Sequence, residues 1–182
     1  MYIPFVACAQ SDNAQSDNEE IRNLFKADQA DRQETNYDRE KLRVNDSLRK
    51  SKINELIKAG QIKTGRDYYH SAMIFQHGQD SLDSEMAVKL MQKAIEADST
   101  IDKWLLAAAI DRDLMRKGKP QIYGTQFQKA YTDTKWKRYQ LDSMQVTDEE
   151  RKKYNVETLA EQQLKLKLMN RLEIDTLNRA GY

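Results

Sequence analysis

The chain has 182 residues, of which 30 are basic and 29 acidic, for a net charge of +1. That balance, spread without a basic block, speaks against a nucleic-acid binder, which carries a basic stripe or patch. No run approaches the roughly 18 apolar residues of a membrane-spanning helix, and the one cysteine, Cys8, rules out an intrachain disulfide and a multi-cysteine zinc site.

In chain order the first signal is Phe5, Val6, Ala7 and Cys8. These look like the end of a bacterial lipoprotein signal, where small residues precede the lipid-bearing cysteine. Phe5 stands where leucine is usual, no Lys or Arg precedes it, and the segment is too short for an apolar stretch of about 7 to 15 residues. An upstream extension of the reading frame would supply what is missing. Cys8 is then a lipidation site, and the protein sits at the cell envelope, touching the membrane only through its lipid. Alternatively the N-terminus is cytoplasmic and carries its cysteine by chance. Residues 9–18, AQSDNAQSDN, hold no core-forming side chain and cannot offset the entropy of ordering. We therefore expect residues 1–17 to be a disordered tether or signal remnant, and residues 18–182 a single helical domain large enough to bury its own core.

A first helix begins near Asn18, where Glu19 and Glu20 favour its positive end. Ile21, Leu24 and Phe25 form an apolar stripe that Asp28 and Arg32 continue at the same period. As an exposed pair these two are worth about 0.3–0.5 kcal/mol; on an apolar face they become candidates for a partly buried site. Thr35 to Val44 is charged and aperiodic and reads as a connection. Asn45 or Asp46 caps a second helix through Ala59, with Leu48, Leu56 and Ile57 inward, Asp46 and Arg49 on the surface and Gly60 as its stop.

Thr64, with Asp67 three residues on, caps a third helix to Gln76. Tyr69, Ala72, Met73 and Gln76 share one stripe, so Gln76 is buried and needs a partner. His70 and His77 stand seven residues apart, about 10 Å along a helix and too far to share a metal ion. No metal or cofactor is expected. His77, at the helix end, is the histidine with a candidate functional role. Asp83 caps a fourth helix over Ser84 to Ala97, with Ala87, Leu90, Met91, Ala94 and Ile95 inward.

The stretch from Trp104 to Phe127 departs furthest from surface-helix composition. Trp104, Ala108, Asp111 and Met115 fall on one stripe with Leu105, Ala109 and Arg112 beside it, so an Asp-Arg pair interrupts an apolar face. Gly118 and Pro120 end this helix. Gln121, Tyr123, Gly124, Thr125 and Gln126 then place hydrogen-bonding groups next to a helix end that already needs partners. From Gln121 to Leu141 aromatic residues and threonines accumulate, predicting a short β-like arm. Thr147 with Glu150 makes a capping box for a short helix, and a last helix runs from about Glu157 to Leu172 with Leu159, Gln162, Leu166 and Met169 on one side. The fold class is mainly α: an antiparallel helix-hairpin array with a short β-like arm after Pro120.

Three segments, DQADR from Asp28, DYYHSAMIFQHG from Asp67 and DRDLMRKGKPQIYGTQF from Asp111, resemble the signature of an uncharacterised bacterial domain-of-unknown-function family. That resemblance implies a fold and a site and brings no activity with it. AVKLMQKAIEADS followed by DKWLLAAA is similar to the join between tetratricopeptide-like repeats, which implies close packing of helix hairpins.

The chain lacks a phosphate-cradling Walker loop, a dinucleotide-binding glycine turn, an HExxH helix and a GxSxG elbow. What remains is a set of polar residues on apolar faces: Asp28, Arg32, Gln76, His77, Asp111, Arg112, Gln121, Tyr123 and Gln126. Such groups must find partners and can form one network, which either fixes helix register or makes a pocket. Two functions fit a pocket. One is binding of a small polar ligand, a peptide or a protein, with Arg32 or Arg112 taking an anionic group. The other is a hydrolase or transferase in which Asp111 or His77 acts as general base beside Tyr123.

Overall fold

The computed structural model describes residues 16–33, 38–130 and 132–179. Cys8 and residues 1–15 of the expected tether lie outside them. The described residues form α1 (Glu19–Gln33), α2 (Arg39–Lys58), α3 (Gly65–Gln76), α4 (Ser81–Ala97), α5 (Trp104–Arg116), β1 (Phe127–Gln128), β2 (Lys137–Arg138), α6 (Asp148–Lys153) and α7 (Leu159–Arg179). The chain is mainly helical with one short β arm.

Helix directions follow from which ends meet. Lys52 near the end of α2 pairs with Glu20 at the start of α1, and Arg32 at the end of α1 reaches back to Asp46, so α1 and α2 are antiparallel. Gly65, the first residue of α3, lies against Ala94 and Asp98 at the end of α4; a Cβ on it would meet Asp98 Cβ at 2.6 Å. Ser84 early in α4 donates to Asp113 late in α5 at 3.0 Å. Helices α3, α4 and α5 are therefore successive antiparallel hairpins. The main core lies among α1 to α5, built from Ile21, Ile53, Leu56, Ile74, Phe75 and Met91. A second, smaller core of Ala107, Tyr123, Val146 and Val156 lies on the other side of α5. Helix α5 thus has a core on each flank, which is why Leu105 to Ala109 are buried without a break.

Local signals explain the helix ends. Asn18 Oδ1 accepts from the Glu20 and Ile21 amides at 2.9 and 3.2 Å. Thr64 and Asp67 form the reciprocal capping box of α3. Gly60 and Gly118 leave α2 and the α5 turn with φ of +65° and +69°. In the arm, Phe127 faces Arg138 and Gln128 faces Lys137 in antiparallel register, and a bridge joins Gln121 to Leu141.

Several expectations are corrected. Asp38 caps α2, accepting from Glu40 and Lys41 at 2.8 and 3.2 Å, so the helix starts within the stretch read as a connection. Its buried stripe is Asp46, Arg49, Ile53 and Leu56, while Leu48 is 65% exposed. Asp46 and Arg49 are thus interior residues, because the 3-4-3 spacing that carries Ile53 and Leu56 inward carries them too. Asp80, not Asp83, caps α4. Asp83 instead accepts from the Gln79 amide at 2.9 Å and Lys50 at 2.5 Å. Trp104 sits at the edge of its helix, 37% exposed.

Candidate functional site

Two polar assemblies meet along α5. In the first, the Asp111 carboxylate is sealed from solvent and faces the loop that follows Pro120. One of its oxygens accepts from the Ile122 and Tyr123 amides at 2.8 and 2.9 Å, and the other from the Thr125 amide and hydroxyl, both at 2.8 Å. The carbonyls of the same loop are held from the opposite direction. Arg151, 1% exposed, donates through Nε to Tyr123 O at 3.0 Å, through Nη2 to Ile122 O at 2.9 Å and through Nη1 to Val146 O at 2.6 Å. Gln162 Nε2 adds a second donor to Tyr123 O at 2.8 Å.

Gly124 occupies φ +89°, where a side chain is strained, and a Cβ there would lie 2.1 Å from Gln162 Oε1. Gln121 closes the loop on itself: its Oε1 accepts from the Gln126 amide at 2.8 Å, and its Nε2 donates to Gln126 O and Tyr139 O at 3.1 and 3.0 Å. Tyr123 packs on Tyr154 with ring centroids 5.0 Å apart, and burial, then the Tyr154 hydroxyl, pushes its pKa up. Asp111, Gln121 and Tyr123 are therefore committed to holding the loop.

The second assembly sits where α1 and α3 end. Asp28, fully buried, has His77 Nδ1 at 3.0 Å, Gln29 Nε2 at 2.8 Å and Arg32 Nη2 at 3.2 Å. An ionised carboxylate only accepts, so His77 Nδ1 carries the proton in that contact. Arg32 Nη2 also lies 2.9 and 3.0 Å from the two oxygens of Asp46. Arg49 bonds Asp46 at 3.1 Å, the Ala27 carbonyl at 3.3 Å, and Asp31. Asp31 is held below its usual pKa chiefly by that Arg49 bond. A cleft of about 330 Å³, with Val44, Asp46, Leu48, Lys50 and Gly78 in its wall, abuts this network at Asp46.

Arg112 connects the two. Its Nε and Nη2 donate to Gln126 Oε1 at 3.3 and 3.2 Å, and its Nη1 to the Gln76 carbonyl at 3.1 Å. The Gln76 and Gln126 amides both donate to Ala108 O at 3.3 Å. No carboxylate pairs with Arg112 among the described residues. Burial lowers its pKa first, with repulsion from Arg116 and Arg32 behind it. Three of the five guanidinium N–H groups are used, which leaves two. Nearby, Arg32 Nη1 and Gln76 Oε1 are sealed from solvent with no hydrogen-bond partner among the described residues.

Of the sequence candidates, the structure brings Asp28, Arg32 and His77 together and sets Arg112, Gln76 and Gln126 beside them, while Asp111, Gln121 and Tyr123 belong to the loop clamp. Sequence reasoning passed over Asp31, Asp46, Arg49 and Arg151. Asp46 and Arg49 could have been found from their register with Ile53 and Leu56. Arg151, one basic residue among three in DEERKK, carries no local signal. Comparison with family models, curated proteins and solved structures finds nothing that matches, so the chemistry of this site rests on its own geometry.

Proposed function

We propose that the domain is a binding module for a small polar ligand, or the polar end of a peptide or protein, whose anionic group is taken up between Arg112 and Arg32. The observation that carries this is a partly buried Arg112 without a carboxylate, within electrostatic reach of an Arg32 whose Nη1 is sealed and unpartnered. Buried donors left empty cost about 1–3 kcal/mol each, and an anionic oxygen meets them with charge-assisted bonds. Arg32 already pairs with Asp28 and Asp46, so the planar fork of Arg112 is the group that meets the anion's charge.

Thermal unfolding with a panel of anions at constant ionic strength tests this. A ligand at one hundred times its Kd adds about 2.7 kcal/mol, or roughly 5–11 °C for a domain of this size. Arg112→Gln should abolish that shift. Equal melting in every anion, for both proteins, would remove the binding function.

The alternative of a hydrolase or transferase has its support at His77, whose Nδ1 is fixed by Asp28 as a general base is oriented by a carboxylate. Asp111 is a poor base, because four donors already fill its two oxygens. A turnover lost in His77→Gln and kept in Arg112→Gln would favour the enzyme. We propose further that the domain sits at the cell envelope if Cys8 carries a lipid, and in the cytoplasm otherwise, and that it belongs to the bacterial family its motifs resemble. A lipid contributes about 0.8 kcal/mol per buried methylene. If Cys8 carries a lipid, Cys8→Ser should therefore move the protein from the membrane fraction to the soluble one, and unchanged partitioning would favour the cytoplasm.

A further inference from the structure

We infer that the cavity between the first half of α3 and the α4–α5 connection is a second ligand site, independent of Arg112. It takes a small organic ligand through a primary ammonium group, held by Asp98 and Asp102 beside His70.

The cavity measures about 250 Å³ and has Arg66, Tyr69, His70, Asp98, Ile101 and Asp102 in its wall. It forms where Gly65 lets the first turn of α3 close on the end of α4: a Cβ there would meet Asp98 Cβ at 2.6 Å and Ile101 Cδ1 at 3.1 Å. One turn further along α3, Tyr69 and His70 complete the wall. The volume lies below the roughly 300–1,000 Å³ of drug-sized sites, so the ligand is short.

Charge sets its kind. Asp98 Oδ1 accepts from the Thr100 amide and hydroxyl at 2.9 and 2.6 Å, and Asp102 Oδ1 from the Trp104 amide and Asn155 Nδ2 at 2.9 and 2.8 Å. Each carboxylate is anchored through one oxygen, while its Oδ2 has no donor and no ion pair among the described residues. The Thr100 bonds hold the Asp98 carboxyl below its usual pKa, so it is ionised at neutral pH. Arg66, the cation in the wall, has Asp17 at 3.8 Å and a side chain 67% exposed, so its charge is both offset and screened. The cavity is left with surplus negative charge. An ammonium supplies the opposite charge together with N–H donors for the two Oδ2 atoms. No group of three His, Cys, Asp or Glu among the described residues could hold a metal ion, which favours an organic cation.

His70 is the independent sign of a ligand. It is 9% exposed and forms no hydrogen bond among the described residues, and its Nδ1 is sealed. Phe25 stacks on the ring, with centroids 4.2 Å apart and planes at 17°, which fixes its orientation. Nε2 is then the nitrogen left for the cavity. Burial lowers the His70 pKa, so the imidazole is neutral at neutral pH and can present a bare Nε2 to a third N–H. Buried polar groups ordinarily have partners, and the ligand provides this one. Ile101 and the Tyr69 ring remain as wall for its short carbon chain.

Calorimetric titration of the whole chain with butylammonium chloride, tetramethylammonium chloride and butanol at constant ionic strength tests this. Butylammonium should bind at least about tenfold more tightly than tetramethylammonium, which has charge without N–H donors, and than butanol, which has the chain without the charge. In proton NMR the His70 imidazole signals should move with the same midpoint while those of His77 stay in place. Asp98→Asn and Asp102→Asn keep the Oδ1 acceptor on which the connection depends, and each should weaken butylammonium at least about tenfold. Arg112→Gln should bind it as the wild type does, which separates this site from the one proposed above. If an Asn variant does not fold, the wild-type ranking and the His70 signals decide. Equal binding of the three compounds, no binding of butylammonium, or heat without movement of the His70 signals overturns the assignment.

Discussion

Removing the Asp111 carboxylate tests the clamp on the Ile122–Thr125 loop most directly. Asp111→Ala strips the acceptor from three buried or half-buried amides, those of Ile122, Tyr123 and Thr125, and from the Thr125 hydroxyl. A buried donor left unsatisfied costs about 1–3 kcal/mol. Water entering the alanine-sized gap recovers part of this, so the lower end applies to each amide and the expected loss is about 3–5 kcal/mol. That is a large share of the roughly 5–15 kcal/mol that holds a domain together, and at about 2–4 °C per kcal/mol it lowers Tm by roughly 6–20 °C. Asp111→Asn is nearly isosteric, yet its amide turns N–H groups toward N–H donors on one side, so it should lose almost as much. Urea unfolding followed by tryptophan fluorescence gives the magnitude, and native-state hydrogen exchange should show the 122, 123 and 125 amides losing protection first. If both variants stay within about 1 kcal/mol of wild type with those amides still protected, the clamp is not what holds the loop.

Gly124→Ala should cost about 1–3 kcal/mol through its positive φ, and more through contact with Gln162; Gln162→Ala in the same chain should restore the contact share only, as read by urea midpoints. Arg151→Lys should destabilise nearly as much as Arg151→Met, about 3–5 kcal/mol, because one ammonium cannot reach the Ile122, Tyr123 and Val146 carbonyls together; a lysine variant with wild-type Tm would contradict this. Burial lowers the His70 pKa from its ordinary 6.5, so the unfolded chain takes up the proton first. The His70 contribution is then full above about pH 6.5 and is lost as pH falls through the folded value. His70→Phe should flatten that part of the stability profile between pH 7 and 5, and an unchanged slope would place the effect elsewhere.

The helical class, the capping of α3 by Thr64 and of α6 by Thr147, and the arm after Pro120 are all legible in the chain, because each depends on residues a few positions apart. Periodicity also identifies Asp28 and Arg32 as charges on an apolar face, and the same rule applied to Ile53 and Leu56 leads to Asp46 and Arg49. Periodicity tells which side of a helix is buried, but not against what. Whether Asp111 faces a ligand or a loop depends on where the chain goes after Pro120, and the answer is set by Arg151 and Gln162, 28 and 39 residues beyond Tyr123. Likewise, that Arg112 meets no carboxylate among the described residues is a property of what the ends of α1 and α3 and the arm place beside it. Local sequence fixes which residues turn inward. The tertiary structure alone assigns their partners, because a buried hydrogen bond needs two groups that only the packing of distant segments brings within 3 Å.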